Sequence, residues 1–286
     1  MILIGLVTTL SWIINDVSSQ GLFGLIYRYQ GLITIWSLIE LYFIAKIIIN
    51  WPKSKKLIIY ILRLLTVFYL LISKNIMGNP NFLGAYISIL STFLIHPKIN
   101  EIESKTESAL IIWQTGSRSA ALAWIFNFLI RLQKKWIILG VILAIIIVFI
   151  FPKKQISSFD NRLIIWDKTW QMVVKKPLFG WGIENYEIGF KSVLIDSDFD
   201  LKNIRVDRSH NLFLDILVNS GLFGLVVWIY LIFLLFKNAR DFKYPLLSFL
   251  IVGSLNVISL NTWILFYLLS ALISVNSSIN LSRSSH

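Results

Sequence analysis

The chain has 286 residues, 56% of them hydrophobic and only 15% charged, with a net charge of +12. That balance excludes an ordinary soluble domain and describes a polytopic membrane protein. The absence of cysteine excludes disulfides, a thiolate nucleophile and cysteine metal sites, three histidines argue against a histidine-rich metal cage, and the positive charge is attributed to lysine-rich cytoplasmic loops rather than to nucleic-acid binding.

Met1 to Asn15 is apolar, without a basic leader or a small-residue cleavage site, so it reads as a transmembrane helix rather than a signal peptide. Further candidate segments are 22–49, 57–73, 82–96, 136–151, 211–236, 244–260 and 262–276. Several approach or exceed the roughly 20 apolar residues that a crossing requires. Strand-like alternation is absent, which argues against a barrel. The expected fold is an all-α polytopic bundle of about eight to ten transmembrane helices, a single integral membrane domain over 1–286.

Short connections carry Lys53, Lys55 and Lys56, then Arg131, Lys134 and Lys135, then Lys237, Arg240 and Lys243. By the positive-inside rule all three face the cytoplasm. Counting crossings from them puts both termini inside, and puts 16–21, 74–81, the long polar stretch 152–209 and a tight turn near 261 outside. Residues 99–131 then cross twice or not at all. Two crossings would place a Thr115-Gly116-Ser117-Arg118-Ser119 turn at the outer face; a re-entrant or cytoplasmic amphipathic segment would move Arg118 away from it.

Within the outer loop, Asn161 to Val174 places Arg162, Trp166 and Trp170 at helical spacing, and Pro177 and the glycines after it end that helix. Trp181, between Gly180 and Gly182, either stacks on a sugar or lines the membrane interface. Asp196-Ser197-Asp198-Phe199-Asp200 resembles a calcium loop, but Leu201 stands where glycine is wanted and Asp207 where glutamate is usual, so a solvated acidic run is expected.

The loop ends in Arg205, Arg208, Ser209, His210 and Asn211 before an immediate return to apolar sequence. An imidazole there titrates near neutral pH and can take a proton from an alcohol. The helix start beside it offers backbone N–H groups to a phosphate, and the arginine forks match phosphate oxygens. The simpler readings are an interfacial or capping histidine, and arginines paired with Asp207 or lipid headgroups. Glu40, Lys46 and Asp215 are ionisable groups in apolar segments; Asp215, five residues after His210, is a possible support for its ring, as are Asn211 and the backbone.

Taken in order, Met77 to Tyr86, Thr115 to Ala120, Arg162 to Trp166 with Pro177 to Gly182, and Ser209-His210-Asn211 with the Gly221-Leu222-Phe223-Gly224 break resemble the O-antigen ligase and O-antigen polymerase superfamily of bacterial membrane glycosyltransferases. Tyr27 to Leu32 looks like an upstream segment of some members. The resemblance implies a GT-C-like, multi-pass protein of the bacterial plasma (inner) membrane, with its active site facing the periplasm or outside. It implies transfer of a glycan from an undecaprenyl-pyrophosphate carrier to an acceptor hydroxyl, on lipid A core of lipopolysaccharide or another surface acceptor. The mechanism it implies is inverting and metal-independent, with no cofactor. Carried over by motif, Arg118 and Arg162 grip the pyrophosphate and His210 is the general base; Arg205 and Arg208 join the pyrophosphate site by proximity. Polymerisation of glycan repeats is the near alternative, and a lipid-linked glycan transporter or a non-catalytic membrane protein are those of other classes.

Overall fold

The computed structural model describes residues 1–15, 17–49, 80–94, 117–130, 156–195 and 205–284. The expected crossings 57–73 and 136–151, most of 99–131 and the acidic run 196–200 lie outside them. Described secondary structure is entirely helical: α1 (Ile2–Ile14), α2 (Ser19–Phe23), α3 (Leu32–Ile48), α4 (Pro80–Leu94), α5 (Arg118–Ile130), α6 (Ile156–Lys175), α7 (Tyr186–Ser192), α8 (Leu212–Asn238), a 3₁₀ turn (Arg240–Phe242), α9 (Lys243–Leu255) and α10 (Leu260–Ser284). Within α8 and within Leu260–Ser277 of α10 the chain is long and apolar enough to cross a membrane, and Ile2–Ile14, Asn81–Leu90 and Lys243–Leu255 are shorter apolar helices.

The helices sort into two compact units, one of Met1–Phe43 with Lys154–Leu235 and one of Ile44–Lys153 with Phe236–His286. In the second, α4, α5, α9 and α10 pack through small residues. A Cβ on Gly84 would lie 2.6 Å from that of Ser117, so glycine there lets α4 meet the start of α5 closely. Asn256 Nδ2 donates to Ser119 Oγ, and Phe249 stacks on Phe266 with ring centroids 4.4 Å apart. The turn before α10 falls at 256–259, a few residues earlier than the sequence places it.

The first unit contains the long polar loop. Met172 and Val173 of α6, Tyr186 and Phe190 of α7, Val206 and Val218 form its buried apolar cluster. Thr169 and Tyr186 share a hydroxyl–hydroxyl hydrogen bond of 2.5 Å inside it. Helix α6 runs from Ile156 to Lys175, longer than the expected Asn161 to Val174, and the chain turns at 177–179 as the proline and glycines require.

Segment 22–49 is not one helix. The chain leaves α2 at Gly24 with φ +86, turns through 26–28, and starts α3 only at Leu32. Hydropathy alone joined the two parts because Arg28 is a single charge among apolar residues. Its guanidinium is drawn instead to Asp207, with N···O distances of 2.6 and 2.7 Å.

Helix α8 is broken at Gly221, where φ +64 and ψ −162 depart from helical geometry. The Pro177–Gly182 turn fills the break. Trp181 N–H donates to Val218 O at 2.6 Å, and Leu222 and Phe223 N–H donate to the carbonyls of Pro177 at 2.8 Å and Leu178 at 3.3 Å. The Ser11 hydroxyl of α1 lies 2.6 Å from both Phe179 O and Asn219 O. In a helix that enters hydrocarbon, orphaned peptide groups have no water to turn to, so a break persists only where protein supplies partners. Glycine is demanded sterically as well: a Cβ on Gly221 would stand 2.2 Å from Leu178 O.

Candidate active site

His210 sits between the last extended residues of the loop and the first turn of α8, in a left-handed conformation with φ +60. Non-glycine residues rarely adopt it, and it persists only when the surroundings over-determine it. Here the surroundings are dense. Trp166 Nε1–H of α6 donates to Ser209 O at 2.7 Å. Asp215 Oδ1 accepts from both the N–H of Ser209 at 2.8 Å and its hydroxyl at 2.7 Å. Asn211 Oδ1 accepts from the N–H groups of Phe213 at 2.9 Å and Leu214 at 3.2 Å, and so caps α8.

Two expectations change accordingly. Asp215 holds the backbone and hydroxyl of Ser209, not the imidazole, so its support reaches His210 only through the preceding residue. The two helix-start amides that a phosphate would have used are taken by the Asn211 side chain.

The ring itself is partly buried and meets charge rather than hydrogen-bond partners among the described residues. Burial first, then the Arg162 guanidinium, pushes its pKa down to about 4; Asp207 pulls upward and Arg28 downward. The imidazole is therefore neutral, with a lone pair available, throughout the physiological range. Arg162 lies one helical turn before Trp166 on α6, half-buried, and that burial lowers its own pKa without discharging it.

The remaining arginines divide. Arg205 is exposed, 3.0 Å from Glu187 and with its guanidinium 5.0 Å from the centre of the Tyr27 ring. Arg208 is only 5% exposed and ion-paired with Glu184, itself 1% exposed. The simple pairing of these arginines with Asp207 is not what forms; Arg28 takes that carboxylate, and holds it well below the usual carboxylate range despite the opposing effect of burial. Arg118 opens α5 in the other unit, its side chain outside the described residues. Trp181 turns inward: its indole N–H donates to Met172 O at 2.9 Å, and Lys176 Nζ lies 4.6 Å from the ring centre.

Two residues of this neighbourhood escaped the sequence reading. Arg28 lies in the Tyr27 to Leu32 segment, where a lone arginine beside glycines was the available signal. Glu184 lies just after Gly-Trp-Gly, and nothing in a single sequence marks its buried partner.

Among the described residues the chain is all-helical, with two helices long and apolar enough to cross a bilayer and a polar loop that brings His210 to the start of one of them, consistent with a helical membrane protein. Residues 108–229, which include Arg118, Arg162 and His210, match the O-antigen ligase family model. No curated protein matches the chain.

Proposed function

We propose that the protein transfers an oligo- or polysaccharide from an undecaprenyl-pyrophosphate carrier to an acceptor hydroxyl at the outer face of the plasma membrane. The observation that carries this reading is His210: a neutral imidazole, held in a fixed left-handed loop at the start of α8, within electrostatic reach of Arg162. His210 removes the acceptor's proton as the acceptor oxygen bonds to the anomeric carbon. The bond from that carbon to the pyrophosphate oxygen breaks from the opposite face, with inversion, and the carrier pyrophosphate departs.

Pyrophosphate leaves readily once its charge is compensated, so no carboxylic acid is needed to protonate it. Arg162 supplies that compensation, and Arg118 is assigned to the same ligand by motif position. Arg205, exposed and carried by Glu187, remains an outer phosphate ligand in this reading, whereas Arg208 is given another role below. Binding the anion also opposes the field with which Arg162 depresses His210, so the base strengthens when donor is present. The expected topology is multi-pass and GT-C-like, with the 152–209 loop outside.

The test is transfer of a labelled glycan from its pyrophosphate carrier in membranes containing EDTA. Wild type is compared with His210→Ala and Arg162→Ala, using both a lipid acceptor and a growing glycan chain, which separates ligase from polymerase. Full activity of His210→Ala would remove the assigned base. Movement of the carrier across sealed vesicles without transfer would replace the reading by a transporter.

A further inference from the structure

We infer that Glu184 is a positioning residue for His210, acting through a buried ion pair with Arg208. This rests on the assignment of His210 as the base. Four observations converge on it. Glu184 has φ +63 and His210 φ +60, so two of the four non-glycine positive-φ residues among those described stand at the two ends of this link. Between them, Arg208 Nη2 donates to Glu184 Oε1, and both side chains are almost wholly enclosed, 6% and 0% exposed.

The Glu184 end is anchored to the frame: its carbonyl accepts from Gln20 Nε2 at 3.0 Å, and the turn just before it is locked into the Gly221 break. The His210 end is anchored through Ser209, which follows Arg208 directly and is gripped by Trp166 and Asp215.

The same geometry removes Arg208 from the substrate's side. Its second terminal nitrogen, Nη1, is buried without a hydrogen-bond partner among the described residues, and so is Glu184 Oε2. A guanidinium this enclosed is tolerable only because a carboxylate faces it. Arg208 is thus the hinge-pin between the Gly180–Gly182 turn and the base, and Glu184 is the residue that keeps the pin seated.

The experiment measures transfer kinetics in proteoliposomes for wild type, Glu184→Gln and Glu184→Asp, each also in a His210→Ala background. If Glu184 acts through His210, Glu184→Gln lowers kcat by about 10- to 100-fold, the scale on which small misplacements act, while KM for the donor stays within about twofold. On His210→Ala it costs little more, because the misplaced group is already gone. Glu184→Asp keeps the charge and recovers part of kcat; it also serves if the glutamine variant fails to fold. A rise in donor KM at constant kcat would overturn the inference by making the pair a donor ligand, and an equal loss in both backgrounds would overturn it by making the effect general destabilisation. Labelling of His210 by diethyl pyrocarbonate, followed by mass spectrometry, gives a second readout that needs no turnover: Glu184→Gln raises the rate severalfold if the ring is released. An unchanged rate sinks the positioning role, even if no transferase activity is found, and a changed rate without activity condemns only the proposed function.

Discussion

The backbone that carries His210 and the imidazole itself are built on opposite plans. Around that backbone, polar groups are spent inward: Ser209 on Asp215 and Trp166, Arg208 on Glu184, the opening amides of α8 on Asn211. The imidazole itself meets the fields of Arg162, Arg28 and Asp207 without a described hydrogen bond to any of them. A satisfied floor fixes where the ring is; an imidazole without a described hydrogen bond keeps its lone pair to act with. Rigidity and reactivity are supplied by different residues, which lets each be removed without the other.

The largest expected effect comes from the imidazole. His210→Ala should lower transfer by about 10²- to 10⁴-fold, the usual contribution of a general base, with the melting midpoint of the solubilised protein nearly unchanged. A large fall in that midpoint would mean the ring belongs to the floor. Gly221→Val attacks the frame on which the floor stands: its Cβ would meet Leu178 O at 2.2 Å from a left-handed backbone, and crowding and strain together should cost about 2–4 kcal/mol in thermal stability. Asp215→Ala strips the shared acceptor from both Ser209 donors and should cost about 1–3 kcal/mol, with a fall in kcat but little change in donor KM.

The smallest effect is a shift in pH profile. The acid limb of kcat/KM reports the free enzyme and should begin near pH 4, because His210 must lose its proton to act and does so at about that value. Arg162→Met removes a positive charge that disfavours the imidazolium, so the limb moves upward. It stays below the ordinary histidine range because burial, the larger cause, persists. A limb that does not move would detach Arg162 from His210.

The helical character, the ends of α1 and α4 and the start of α9 to within a few residues, and the helix carrying Arg162 and Trp166 were all readable from apolar runs and 3.6-residue spacing. Such patterns are local. What escaped is what long-range pairing decides. Arg28 belongs to a turn rather than a helix because Asp207, 179 residues later, receives it. Arg208 faces inward because Glu184 awaits it, and Asp215 serves Ser209 because the loop folds back over the start of α8. Arginine and histidine at a helix mouth are legible in sequence; which of them turn inward depends on carboxylates whose pairing no periodicity announces.

The Ser11 hydroxyl has a consequence for the order in which the protein is made. Its two acceptors, Phe179 O and Asn219 O, are 168 and 208 residues further along the chain. A ribosome delivers α1 long before either exists, so these two hydrogen bonds wait until α8 has been made and broken at Gly221. Contacts of such separation close late. Ser11 therefore ties α1 to two segments made much later, and this part of the first unit is completed only after α8 has been synthesised.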